Sequence, residues 1–154
     1  YWIPSEEKTI MTDTEFQKVS RSDKPLYGPR KLLLCGFEAD VQSKFIKLMD
    51  MIGLSEIPLV WVTEDQAEVH VGELAQLEDG AGAGNSSGLP RAIIMCGITQ
   101  NELHLLMSGC RQSGMQQPLW ATLTPTSETW SIQNLLKELA AEHRAMQARK
   151  QPRQ

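Results

Sequence analysis

Pro29-Arg30-Lys31-Leu32-Leu33-Leu34-Cys35-Gly36 returns sixty-one positions later as Pro90-Arg91-Ala92-Ile93-Ile94-Met95-Cys96-Gly97. The same offset carries Gly53 onto Gly114, Thr63 onto Thr124, Val71 onto Ile132 and Leu74 onto Leu135, with Pro58 and Pro118 within one residue of register. A repeat of this length marks a duplicated structural unit, and duplication constrains which faces pack together before it says anything about chemistry.

Working outward, each octapeptide supplies a short apolar strand that ends at a glycine. After the first, Val41, Phe45, Leu48, Met49 and Ile52 fall on one helical face. Gly53 closes that helix as a C′ glycine. Leu59 to Val62 predicts a second strand, and Thr63-Glu64-Asp65-Gln66 predicts a capping box opening a helix that runs to about Leu77. In the second half the order recurs: strand 92–96, capping box Thr99 to Glu102, helix face Leu103, Leu106, Met107 and Cys110, then strand 119–123. A last helix carries Ile132, Leu135, Leu136, Leu139, His143 and Met146 at helical spacing, with Arg144, Arg149 and Lys150 complementing its C-terminal dipole. The expected organisation is an arm over 1–29 and one α/β domain over 30–150. Its repeats, 30–77 and 90–148, are joined by a flexible Gly/Ser linker at 78–89.

Continuous apolar strands alternating with helices predict a parallel sheet covered on both faces, in the order 2-1-3-4. A pseudo-twofold axis running along the two central strands would send the first and third helices to opposite faces. A ligand crevice would then open at the switch point between them. Its rim would hold Cys35-Gly36-Phe37-Glu38 and Cys96-Gly97-Ile98-Thr99-Gln100. Phe37, Glu38, Ile98, Thr99 and Gln100 are therefore the candidate protein-binding residues.

The chain has 154 residues, enough for one compact core, and a formal charge of −4, which gives no general attraction to nucleic acid. Three cysteines without C-x-x-C spacing suit a reducing compartment. No run approaches the length of a membrane span, so a soluble protein is expected, and a start at Tyr1 suggests a trimmed chain. Each candidate for chemistry has a plainer structural reading. Cys35 and Cys96 could form a redox pair on neighbouring strands, but the expected axis would point their sulfurs apart, and with Cys110 they read as buried small hydrophobes. Gly36 and Gly97 read as strand-to-helix turns and not as a phosphate cradle, because the rim carries Glu38 and Asp40 and no cation. The run Gly82 to Gly88 imitates a dinucleotide fingerprint in reversed context. His70, His104 and His143 lack metal-ligand spacing, Trp130 anchors the last helix, and Arg30 and Arg91 read as solvated strand flanks or a small basic patch. No catalytic residue, cofactor or metal site is expected.

Ala121-Thr122-Leu123-Thr124 followed by Trp130, Ile132, Leu135, Leu136, Leu139 and Glu142 resembles a family of uncharacterised small domains of bacteria and plastid-bearing eukaryotes, over about 91–146. Pro125 to Thr129 stands where those relatives more often have an Asn-containing segment. The whole chain, with its degenerate first copy and Gly/Ser linker, is similar more specifically to chloroplast photosystem I assembly factors of plants. That resemblance implies a stromal, thylakoid-associated, non-enzymatic protein. Its partners would be the stromal iron-sulfur subunit of photosystem I and other assembly factors, with peripheral membrane association. The alternative expectation is a small-ligand-binding or redox-sensing α/β domain using the switch-point crevice.

Overall fold

A computed structural model describes residues 25–150; most of the arm expected at 1–29 lies outside them, as do the side chains of Arg149 and Lys150. The elements are β1 (Lys31–Cys35), α1 (Ala39–Met51), β2 (Leu59–Val62), α2 (Val71–Leu74), β3 (Ala92–Cys96), α3 (Gln100–Gln112), β4 (Leu119–Thr122) and α4 (Ile132–Lys150). The four strands form one sheet in the order β2-β1-β3-β4 with helices on both faces, a mostly parallel α/β fold.

The direction of the central pair departs from the expectation. β1 and β2 are parallel, as are β3 and β4, but β1 and β3 run antiparallel, with Leu33 opposite Ile94 and Lys31 opposite Cys96. Residues thirty-three and ninety-four are repeat equivalents, so the pseudo-twofold axis passes between them, perpendicular to the sheet. Such an axis keeps equivalent side chains on one face. Leu32, Leu34, Ile93 and Met95 accordingly share a core layer with Phe45, Leu48, Leu103 and Leu106 from α1 and α3. Leu33, Cys35, Ile94 and Cys96 face Val71, Leu74, Ile132 and Leu135 from α2 and α4. Right-handed crossovers explain the pairing: rotating one strand-helix-strand unit about the sheet normal leaves its crossover helix on the same face. The first and third helices therefore lie side by side, and Gly109 admits Leu48 and Ile52 closely.

On the other face the same axis passes an antiparallel bridge between His70 and Ser131, again repeat equivalents. Val71 N donates to Trp130 O and Ile132 N to Val69 O, both at 2.9 Å. This bridge interrupts the helix expected from Thr63 to Leu77. The capping box forms, with Thr63 N donating to Gln66 Oε1 at 3.0 Å, but it opens only a 3-10 turn over Glu64–Gln66 before the chain extends into the bridge. α2 is then a single turn.

The Gly-rich linker is pinned, contrary to the flexible run expected. Gly80 N donates to Leu59 O and Trp61 N to Ala81 O, which covers the outer edge of β2. Gln42 on α1, only 4% exposed, accepts from Gly84 N at 2.8 Å and donates to Asn85 O at 3.0 Å. Gly88 N donates to Glu64 Oε1 at 2.7 Å.

Candidate functional site

The antiparallel centre takes the expected rim apart. Phe37 and Glu38 follow the end of β1 that lies beside Ala92, whereas Ile98, Thr99 and Gln100 follow the end of β3 beside Lys31. The two groups occupy opposite ends of the central pair and enclose no common crevice. Phe37 is buried and meets Phe45 and Trp61 edge-on, with centroids 5.5 and 5.9 Å away. Ile98 is fully buried. Glu38 is exposed at the α1 N-cap, where its side chain makes no cap bond. Thr99 caps α3, its Oγ1 accepting from Glu102 N at 3.1 Å, and Gln100 opens that helix half-buried.

What gathers at each end is a strand-to-helix glycine pressed against the chain leading into the other half. A Cβ on Gly36 would overlap Leu89 O and come within 2.7 Å of Arg91 N; one on Gly97 would overlap Gly28 O and come within 2.7 Å of Arg30 N. Both glycines hold positive φ, +74° and +62°. The two arginines are engaged and are not the solvated flanks expected. Arg30 grips Glu102 with both nitrogens, at 2.5 and 2.6 Å, and reaches Glu56 at 3.3 Å. The Arg30 hydrogen bond holds the Glu102 carboxyl below the usual carboxylate range, and Glu102 in turn raises the guanidinium. Arg91 lies 5.1 Å over the Phe37 ring.

Cys35 and Cys96 lie on one face of the sheet and not on opposite faces, a second consequence of the axis direction. They are four register steps apart, about 13 Å along the strands, well beyond the Cα separation a disulfide bridges. Burial pushes the Cys35 thiol up, Cys96 up to about 12 and Cys110 up to about 11, so none presents a thiolate near neutrality. Among the described residues no three of His, Cys, Asp and Glu gather as a metal site.

Two concavities stand out among the described residues. One, about 360 Å³, lies along Asn101, His104, Leu105 and Ser108 of α3. The other, about 450 Å³, lies between α4 and the linker's end: Leu89, Pro90, Leu136 and Ala140 make its apolar floor, and Gln133, Lys137 and Arg144 its polar wall. Lys137 and Arg144 are exposed, and neither forms an ion pair within the described residues. Residues 91–146 match the family model described as a domain of unknown function (DUF3783). The match spans the second repeat and less than half the chain, and it contains the α4 wall of the groove but not Leu89 or Pro90. No curated protein and no solved structure matches the chain. Sequence reasoning missed this groove. Its helical side was visible in principle as Gln133, Lys137, Ala140 and Arg144 on one stripe, but the facing Leu89-Pro90 is brought in from far along the chain.

Proposed function

We propose that this protein is a non-enzymatic assembly factor, a module that holds protein partners. The setting is the one its sequence resemblance suggests: photosystem I biogenesis at the stromal side of the thylakoid in the chloroplast. The stromal iron-sulfur subunit and other assembly factors are the proposed partners. The proposed thylakoid association is peripheral; no helix among the described residues is long and apolar enough to cross a membrane.

The observation that carries the binding reading is that α4 outruns the sheet. Its last buried apolar residue is Leu139, yet the helix continues through 141–148 with every residue exposed and Met146 half in water. Isolated helices of this length are marginal in water, because helix stability in proteins comes mainly from tertiary packing. A projecting segment that carries Met146 and three alanines among Glu142, His143, Arg144 and Gln147 suits a partner contact. Burial of all three thiols, the strongest nucleophiles in the sequence, favours binding over chemistry.

Affinity capture with the full chain from a chloroplast extract tests the reading. Photosystem I stromal subunits or assembly factors should be enriched over a control bait, and a stop after Leu139 should reduce their recovery. Recovery of none of them would reject the assembly role; recovery undiminished by the stop would reject the α4 extension as the contact.

A further inference from the structure

We propose that the groove between α4 and Leu89-Pro90 docks an acidic amphipathic helix of a partner protein, a deepening that rests on the partner-binding reading above. The geometry is that of a helix laid along a helix. The α4 wall runs from Gln133 to Arg144, about 16 Å along the axis at 1.5 Å per residue. Its two cations, Lys137 and Arg144, stand seven residues apart, about 10.5 Å. A partner helix lying alongside repeats the same spacing between its own positions i and i+7. Two carboxylates so placed meet the two cations together, and apolar side chains at i+3 and i+4 descend between them.

The wall is shaped for that descent. Ala140 sits midway between the cations, so the helix surface dips where a larger side chain would close it, and Leu136 with Leu89 and Pro90 gives the dip an apolar floor. This is helix-in-groove recognition, with apolar anchors for affinity and flanking charges for orientation. Charge complementarity selects an acidic occupant: the chain is acidic overall at −4, yet the groove's wall carries two exposed cations, Lys137 and Arg144, that form no ion pair within the described residues. The groove exists only once. In the first repeat the places of Leu89 and Pro90 are taken by Gly28 and Pro29, and the counterpart of α4 stops at Leu74, before any position equivalent to Lys137 or Arg144.

The test uses the full chain and a fluorescein-labelled, alanine-based helical peptide with Glu at two positions seven apart and Leu at the third and fourth positions between them. A second peptide has Lys in place of both Glu. Fluorescence anisotropy at low salt should show saturable binding of the Glu peptide. Lys137→Glu combined with Arg144→Glu should weaken it at least about tenfold and reverse the preference towards the Lys peptide. Both positions are exposed, so the double variant should keep its melting temperature, and Ala140→Leu should block both peptides by filling the dip. Equal binding of the two peptides, or binding unchanged in the charge-reversed variant, would overturn the proposal. So would saturable binding of octanoate in the groove without peptide binding, which would assign the site to a small amphiphile. If affinity capture finds the assembly partners but the charge-reversed variant captures them equally well, the groove assignment falls and the function stands. If the peptides behave as expected but capture finds no photosystem I component, the setting falls and the groove stands.

Discussion

Gly36 and Gly97 are where the chain leading into each half presses closest on the end of the other half's central strand. Each combines a positive φ with backbone of the other half lying where a Cβ would go. Gly53 shares the positive φ but has open space around it. Replacing Gly53 with Ala should therefore cost about 1 kcal/mol of unfolding free energy, the left-handed backbone penalty alone. Gly36→Ala or Gly97→Ala should cost about 3 kcal/mol or more, because the added methyl must displace main chain as well. Urea unfolding of the three variants measures the difference, and equal losses at all three sites would contradict the steric account. A second residue-scale effect belongs to Glu102. Its folded carboxyl ionises at lower pH than in the unfolded chain, so the Arg30 pair stabilises the fold above the ordinary carboxylate pKa. That contribution is lost as pH falls through the depressed folded value. Glu102→Gln keeps an acceptor for the Thr99 cap while removing the charge. Its cost should be about 1 kcal/mol near neutrality, modest because about a third of the Arg30 side chain is in water. The cost should shrink as pH falls through that depressed folded value. Melting temperatures of both proteins from pH 7 to 3 should converge; parallel curves would remove the ion pair from the account.

At the scale of elements, the buried Gln42 amide is the side chain that ties the middle of the linker to α1, beside the linker's backbone bonds to Leu59 and Trp61 and the Gly88–Glu64 contact. Gln42→Ala would leave Gly84 N and Asn85 O without their partners and open a gap beside Phe37 O, which also accepts from the Gln42 amide at 3.3 Å. Destabilisation of about 1–3 kcal/mol is expected. Proteolysis of native protein should become faster within residues 80–88 before it rises elsewhere, and an unchanged cleavage map would show the linker to be held by its own backbone. The linker also shows what was legible in the sequence and what was not. Strands, first and third helices, the C′ glycine Gly53 and the strand order follow from periodicity and duplication. Strand direction does not, because Leu32-Leu33-Leu34 and Ile93-Ile94-Met95 are apolar on both faces and pack equally well in either sense. With the direction went the rim, the faces of Cys35 and Cys96, and the relation of α1 to α3. The break before α2 was hidden for a different reason: Ala67, Val71 and Leu74 keep helical spacing behind the capping box, but Val71 N donates to Trp130 O and Val69 O accepts from Ile132 N. Composition called the Gly-rich run loose, and a glutamine from α1, forty-two residues before Gly84, holds it in place.

For the whole molecule, the central antiparallel pair makes each half incomplete alone. A fragment spanning 88–150 would expose the edge of β3, whose five residues are all buried in the intact protein. Because the axis passes between Leu33 and Ile94, a second copy of that fragment can stand in for the first half, pairing β3 with β3 about a true twofold. Sedimentation equilibrium should find the fragment as a dimer, or aggregated, and the intact chain should contribute no such pairing through β3. A stable folded monomer of the fragment would contradict the dependence of one half on the other.

Fusing two such units into one polypeptide frees them to differ. A true dimer displays every surface in duplicate and can recruit two copies of whatever it binds. Here the second unit grew a long terminal helix while its twin shrank to a single turn, so the groove has no counterpart. A helix docked in that groove would sit once on each chain and in a single polarity.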